Sequence, residues 1–161
     1  MPQSTPTRVM IVDDHDMVRS GLAVFVETFD DLVLVGEASD GSDAVRLCAE
    51  VHPHVVLMDL LMPKMDGVAA TRAIRQANPD VQIIALTSFS DRDLVQGALE
   101  AGALGYLLKT ASIDELAEAV RNARQGRPSL APEALQILVS AANQPHQPGY
   151  DLTDREREVL G

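Results

Sequence analysis

The chain has 161 residues, 46% of them hydrophobic, and its 13 Lys plus Arg against 24 Asp plus Glu give a formal net charge of -11 at pH 7. This length predicts one domain and a remainder, and the negative charge argues against nucleic-acid binding by this part of the chain. The single cysteine excludes an internal disulfide, and no segment has the apolar length of a signal peptide or a membrane span, so we expect a soluble, cytoplasmic protein without a membrane partner.

Short apolar runs alternate with amphipathic segments along most of the chain. The predicted strands are, in order, 9–12, 33–35, 55–59, 83–86 and 104–108, and the predicted helices are about 18–29, 42–51, 68–76, 91–100 and 112–124. Ser112 and Glu115 have the spacing of a capping box that opens the last of these helices. Five alternations of strand and helix predict an α/β fold, a doubly wound five-stranded parallel sheet with helices on both faces.

The third predicted strand ends in a carboxylate. Four apolar residues, 55–58, lead directly into Asp59, and Met62-Pro63 followed by Asp66-Gly67 indicates an irregular loop before the next helix. A short apolar run of this kind is typical of a strand that is buried on both faces. Asp59 is therefore expected at the carboxyl end of its strand, where open parallel sheets bind their ligands.

Polar side chains also follow the other strands: Asp13 and Asp14 the first, Thr87 the fourth and Lys109 the fifth. Taken singly, they have ordinary structural interpretations such as helix capping or solvation. Together with Asp59 they place three carboxylates side by side, an arrangement that a hard cation such as Mg²⁺ neutralises. With Lys109 and Thr87 available for phosphoryl oxygens, the pattern predicts an aspartyl-phosphate site in which Asp59 is the nucleophile.

Other reactive side chains receive structural interpretations. His15, His52 and His54 lack the spacing of metal ligands and are interpreted as surface or capping residues. Cys48 is expected to be a small buried hydrophobe, and Asp66 to form the turn before the third helix.

The pattern changes after Gly126. We expect a phosphoacceptor domain at 1–126 and a helical extension with a linker at 127–150, in which a helix covers about 132–139 and the linker begins at 141. Thr153 and Glu156 have the spacing of a second capping box, and Val159-Leu160 begins an apolar face. We therefore expect residues 151–161 to begin a second domain.

These residues resemble the receiver domain of two-component response regulators over about 7–124. The resemblance is carried by Val12-Asp13-Asp14-His15, Met58-Asp59-Leu60-Leu61-Met62-Pro63-Lys64-Met65-Asp66-Gly67, Thr87-Ser88 and Gly105-Tyr106-Leu107-Leu108-Lys109. Within the family, the chain resembles the NarL/FixJ branch, because residues 152–160 are similar to the opening of a LuxR-type helix-turn-helix. The resemblance implies a flavodoxin-like receiver fold with strand order 2-1-3-4-5 and a C-terminal helical extension.

The resemblance also implies a role for each site residue. The Mg²⁺ ligands would be Asp14, Asp59 and the carbonyl of Leu61, with Asp13 acting through water. The phosphoryl site would contain Asp59, Thr87 and Lys109 with Leu60 and Ser88 beside them, and Tyr106 would be the switch aromatic. The chain departs from the family at Thr110, since many receivers have Pro after the lysine.

By the same resemblance, a sensor histidine kinase would phosphorylate Asp59, and the full-length protein would control transcription. Phosphorylation would favour a homodimer, and promoter DNA would bind the full-length protein but not this fragment, which stops before a recognition helix. The only catalysis expected is Mg²⁺-dependent self-phosphorylation from a phosphodonor, and self-dephosphorylation. The latter should be slow, because Leu61 and Phe89 flank the phosphoryl position and neither can orient a water by hydrogen bonding.

Three alternative functions differ in the residues that they require. A phosphatase of the haloacid dehalogenase type would need a second Asp two residues after the nucleophile, where this chain has Leu61. A flavodoxin-like carrier would need a phosphate loop after the first strand, where Asp13-Asp14-His15-Asp16 would repel a phosphate. A stand-alone receiver that acts through protein contacts, without binding DNA, remains open.

Overall fold

The computed structural model describes residues 5–62, 65–88 and 91–143. Within them, strands and helices alternate five times and a further helix follows. The strands are β1 Thr7–Val12, β2 Leu32–Ala38, β3 Val55–Asp59, β4 Gln82–Thr87 and β5 Gly105–Leu108. The helices are α1 Asp16–Thr28, α2 Gly41–Val51, α3 Gly67–Ala77, α4 Arg92–Glu100, α5 Ile113–Arg124 and α6 Pro132–Asn143. Every element predicted within the described residues is present, although β2 is longer at both ends than the predicted 33–35.

The five strands form one parallel sheet in the order β2-β1-β3-β4-β5, which confirms the predicted fold. The central strand β3 is buried along its whole length, as its continuous apolar run predicts. In the register, Val12 lies opposite Met58, Asp59 opposite Leu86, and Thr87 opposite Leu108. The strands therefore end at one edge of the sheet, and the residues that follow them meet there.

The core consists of two apolar clusters, one on each face of the sheet. Neighbouring residues of a strand contribute to opposite clusters, so Val56 packs with α2, α3 and α4 while Leu57 packs with α1 and α5. Cys48 is fully buried in the first cluster, and burial raises the pKa of its thiol to about 11. It is a packing residue, as the sequence predicts.

Side chains cap the starts of α5 and α3. Ser112 and Glu115 form the predicted capping box at α5, with reciprocal hydrogen bonds of 3.1 and 2.8 Å. Asp66 caps α3 by accepting a 2.8 Å hydrogen bond from the backbone N–H of Ala69. Helix α3 therefore begins at a fixed point just after the loop that follows Asp59.

The segment after α5 returns to the sheet before it becomes α6. Leu130 forms a single parallel bridge with Tyr106 on the outer edge of β5. Helix α6 then extends to Asn143, so the predicted linker start at 141 is wrong; the alanines at 141 and 142 favour continuation of the helix. The rest of the predicted linker and the predicted second domain at 151–161 lie outside the described residues.

Among the described residues, no helix combines the length and the apolar content that crossing a bilayer requires.

Candidate functional site

The last residue of β3 and the residues directly after β1 and β5 bring two carboxylates and one ammonium together. Lys109 Nζ lies 2.8 Å from Asp13 Oδ2 and 3.4 Å from Asp59 Oδ1. Asp13 is 1% exposed and Asp59 is 3% exposed. The charged atoms are thus largely removed from water. Their electrostatic interaction is stronger in this buried position than it would be at the surface.

Backbone hydrogen bonds fix the turn that carries Asp13. Its N–H donates to the carbonyl of Ala38 at 3.1 Å, and its Oδ1 accepts the N–H of His15 at 2.8 Å. Its carbonyl accepts a 2.6 Å hydrogen bond from Arg19 of α1, whose guanidinium also pairs with Glu37 at 3.3 Å. These contacts hold the carboxylate over the end of the sheet.

Asp59 combines burial with an unfilled acceptor. Its Oδ1 accepts a 3.4 Å hydrogen bond from the N–H of Leu61, and its Oδ2 has no hydrogen-bond partner among the described residues. Burial raises the pKa of the Asp59 carboxyl and the charge of Asp13 raises it further, while Lys109 and the Leu61 N–H oppose the rise without cancelling it. A buried oxygen of this kind is left available to a cation, a water or a covalent partner.

Lys109 is held by its own backbone as well as by its charge. Its N–H donates to the carbonyl of Thr87 at 2.7 Å, which joins the ends of β4 and β5. Burial by itself would lower the pKa of the Lys109 ammonium, but the hydrogen bond to Asp13 and the charge of Asp59 outweigh burial and raise it. Lys109 is therefore a permanent positive charge at the site.

Gly67, the first residue of α3, packs directly against the backbone of Asp59. A Cβ at this position would lie 2.1 Å from the Asp59 carbonyl oxygen and 2.6 Å from the Cα of Leu60. Any side chain would displace the end of β3. Only glycine allows α3 to start this close to Asp59.

Four residues at this edge could hold a metal ion. Asp13, Asp14, His15 and Asp59 each offer one ligand atom, and these atoms all lie within 4.8 Å of one another. The three carboxylates and the unpartnered Asp59 Oδ2 suit a hard divalent cation such as Mg²⁺. The donor set therefore fits the predicted cofactor.

His15 is the neighbour that sequence reasoning missed. It occupies the N-cap position of α1, as its interpretation as a capping residue requires, but its side chain makes no cap hydrogen bond. Its Nδ1 instead lies 3.1 Å from Asp14 Oδ1 and 3.3 Å from Asp13 Oδ1. The signal that could have indicated this contact is that His15 directly follows Asp13 and Asp14. A turn of the chain at this point brings the His15 side chain back to the two carboxylates.

The other predicted site residues lie on or directly after β3, β4 and β5. Thr87 is 1% exposed at the end of β4, and Ser88 follows it in an exposed position. Leu60 is buried in the α2–α4 cluster, so only its backbone faces the site, and Leu61 is 47% exposed beside it. Tyr106 is fully buried in the middle of β5, where burial raises the pKa of its hydroxyl to about 12 and Asp91 adds to the rise.

Comparisons with known proteins agree with this geometry. The family model described as "Response regulator receiver domain" matches residues 9–121. The transcriptional regulatory protein LiaR of Bacillus subtilis is 47% identical over 156 residues, covering 95% of this chain and 74% of LiaR. The response regulator protein VraR of Staphylococcus epidermidis is 39% identical over 153 residues, covering 95% of this chain and 73% of VraR.

Two solved structures extend the likeness to three dimensions. A LuxR-family two-component response regulator from Aurantimonas sp. SI85-9A1 has a TM-score of 0.81 at 34% identity, covering 87% of this chain and all of that one. The response regulator ChrA of a heme-sensing two-component system has a TM-score of 0.72 at 39% identity, covering 98% of this chain and 74% of ChrA.

Proposed function

Since this chain belongs to the response regulator receiver domain family, in its NarL/FixJ branch, we propose that it is a phosphorylation-activated regulator of transcription whose phosphoacceptor is Asp59. The phosphodonor is a phosphohistidine of a sensor histidine kinase. The observation that carries this proposal is the buried, unpartnered Oδ2 of Asp59 beside the ammonium of Lys109. That oxygen is a nucleophile whose surroundings can neutralise the charge that arrives with a phosphoryl group.

The transfer requires little covalent chemistry from the protein. A carboxylate oxygen of Asp59 forms the new O–P bond, and the P–N bond to the donor imidazole breaks with its electron pair remaining on the nitrogen. Mg²⁺ held directly by Asp14 and Asp59, and through water by Asp13, would neutralise charge on the phosphoryl oxygens. Lys109 donates to one phosphoryl oxygen, so catalysis consists mainly of positioning and charge neutralisation.

Other residues at the ends of the strands have proposed roles in binding the phosphoryl group and the metal. Thr87 would donate its hydroxyl to a phosphoryl oxygen, and the carbonyl of Leu61 would be a ligand of the metal. The phosphoryl group meets only the backbone of Leu60, because the side chain of that residue is buried in the core. Ser88 lies beside the phosphoryl position, and Tyr106 responds to the movement of Thr87.

The proposal that the full-length protein controls transcription rests on its similarity to known regulators. LiaR is named a transcriptional regulatory protein, and its match covers 95% of this chain, so we assign transcriptional control to the full-length protein. Homodimerisation on phosphorylation is proposed from the resemblance of the sequence to the NarL/FixJ branch. A stand-alone receiver acting through protein contacts is the second candidate. Turnover of a small phosphorylated molecule is disfavoured, because Leu61 stands where an acid-base carboxylate would be needed.

Intact-mass analysis after incubation with Mg²⁺ and acetyl phosphate tests the phosphoacceptor. One phosphoryl group should add to the wild type, and none should add without Mg²⁺ or to Asp59→Asn. Asp66→Asn is the matched control, because it changes a nearby Asp that only caps α3 and should be phosphorylated normally. Addition of the same group to Asp59→Asn would assign the reaction to another residue.

A further inference from the structure

Arg19 of α1 contacts three separate parts of the chain beside the carboxylate cluster. Its Nη1 donates to the carbonyl oxygen of Asp13 at 2.6 Å. Its Nη2 pairs with Asp16 Oδ1 at 2.7 Å in the first turn of the same helix, and its Nε lies 3.3 Å from Glu37 Oε1 of β2. Each guanidinium nitrogen therefore has an acceptor, so the orientation of the group is fixed from three sides.

The bond from Arg19 fixes the peptide group that joins Asp13 to Asp14. A peptide group is planar, so holding its carbonyl oxygen also restricts the backbone rotations that aim the two side chains. On its other side, Asp13 is fixed by its own N–H, which donates to the carbonyl of Ala38 at 3.1 Å. The oxygens that Asp13 and Asp14 offer to a cation lie within 4.8 Å of each other and of that of Asp59. Arg19 thus holds the backbone on which two of the three carboxylates are mounted.

The charge of Arg19 and its hydrogen bond act on a bound cation in opposite directions. A guanidinium is permanently positive, and its charge alone would repel a divalent ion. Its pairs with Asp16 and Glu37 offset much of this repulsion. Carboxylates that are ordered in advance lose less conformational freedom when the ion binds, which strengthens binding.

We infer that Arg19 is a positioning residue for the metal site: it holds the Asp13 carbonyl, orients Asp13 and Asp14, and thereby strengthens the binding of Mg²⁺. The inference rests on the proposed function, in which Mg²⁺ binds at this cluster. The role of Arg19 is indirect, because it contacts a backbone carbonyl and no carboxylate of the donor set. Removal of Arg19 should therefore weaken Mg²⁺ binding, whereas removal of a positive charge alone would strengthen it.

Titration calorimetry with Mg²⁺ separates the two effects by their sign. Arg19→Met removes the donors and the charge, and should bind Mg²⁺ about tenfold more weakly than the wild type. Arg46→Met is the charge-matched control. Arg46 is 63% exposed and pairs with Asp43 and Glu50 of its own helix at 3.3 Å, so this variant should bind Mg²⁺ within about twofold of the wild type.

The outcomes of this titration are distinct. Equal or tighter Mg²⁺ binding by folded Arg19→Met overturns the inference, and so does an equal loss in Arg46→Met. A wild type that binds no Mg²⁺ contradicts the proposed function instead. If Arg19→Met does not fold, Arg19→Gln replaces it with the same expectation, because its shorter side chain can still bond to Asp16 within the helix and lacks the second nitrogen that holds the Asp13 carbonyl.

The rate of phosphorylation by acetyl phosphate distinguishes positioning of the metal ligands from general damage to the site. In a time course of intact mass, Arg19→Met should need about tenfold more Mg²⁺ than the wild type to reach its half-maximal rate. Its rate at saturating Mg²⁺ should approach that of the wild type, because Asp59 and Lys109 are unchanged. A lower saturating rate with an unchanged half-maximal Mg²⁺ concentration overturns the inference.

Discussion

Lys109 Nζ lies closer to Asp13 Oδ2, at 2.8 Å, than to Asp59 Oδ1, at 3.4 Å. The ammonium is thus shared by two carboxylates that a divalent cation would also bind. A lysine in this position would compete electrostatically with a bound metal ion, and it would also attract the oxygens of the proposed phosphoryl group.

We expect Lys109→Met to bind Mg²⁺ about tenfold more tightly than the wild type, because it removes a positive charge close to the metal position and keeps a similar side-chain length. Titration calorimetry with Mg²⁺ measures this directly. Lys109→Arg keeps the charge and should retain an affinity close to that of the wild type. Weaker Mg²⁺ binding by Lys109→Met would show that Lys109 organises the carboxylates rather than competing for them.

His54 should make the fold sensitive to acid. Its Nδ1 accepts the backbone N–H of Arg8 at 2.9 Å, an interaction that only the neutral ring can make. Burial lowers the pKa of His54 below its ordinary value of 6.5, and the charges of Arg124 and Arg8 add to the effect. The unfolded chain binds a proton first as the pH falls, so this contribution to stability is complete above 6.5 and is lost between 6.5 and the lowered pKa.

Urea denaturation from about pH 7 to about pH 5 measures this dependence. His54→Asn should lose stability less steeply over that range, because an amide oxygen can accept the same hydrogen bond and does not titrate. His52→Asn is the control: His52 is exposed and has φ 49, a left-handed conformation that Asn tolerates, so its slope should match that of the wild type. If the free energy of unfolding fell equally steeply with pH in His54→Asn and in the wild type, His54 would not be the cause of the acid sensitivity.

Thr87 should couple phosphorylation to β5. A phosphoryl group on Asp59 attracts the Thr87 hydroxyl, and its movement gives Tyr106 room to turn. Amide exchange between Ser88 and Tyr106 should change when beryllofluoride binds the wild type, and this response should be lost in Thr87→Ala. Thr71→Ala removes the same atoms from a fully buried threonine of α3 and should leave the response intact. Identical exchange with and without beryllofluoride in the wild type would refute the coupling.

The phosphorylated state should decay slowly. Hydrolysis needs a water in line with the phosphorus, and the half-exposed Leu61 side chain beside the site cannot orient one. Leu61→Asn, alone and with Phe89→Glu, should lose the phosphoryl group about fivefold faster or more in a time course of intact mass. Leu61→Met keeps an apolar side chain and should decay at the wild-type rate. Phe89 lies outside the described residues, so the single variant is the structure-based test.

The convergence of Asp13, Asp59 and Lys109 could be predicted from sequence for a geometric reason. Each follows or ends a short apolar run, and parallel strands bring such positions to one edge whatever the details of packing. The capping box of Ser112 and Glu115 was equally readable, because its signal is local.

Contacts made by backbone groups could not be predicted in this way. The bridge between Leu130 and Tyr106 involves one residue on each side, which is too short for any alternation of polar and apolar residues to indicate it. The hydrogen bond from the backbone N–H of Arg8 in β1 to the ring of His54, just before β3, joins positions 46 residues apart, and neither residue type specifies the other. The roles proposed for individual site residues remain predictions, since they depend on ligands as well as on position.

The close packing of Gly67 against Asp59 predicts how mutations at this glycine affect function. Any substitution there would push a side chain into the Asp59 carbonyl, so the loss of function should be as complete as at the phosphoacceptor itself. In a saturation-mutagenesis map the two positions would look alike, although Gly67 contributes no atom to the reaction. Stability and metal affinity measured on purified variants would distinguish Gly67 variants from Asp59 variants. Only the Gly67 variants should deform the end of β3, which carries the Asp59 carboxylate.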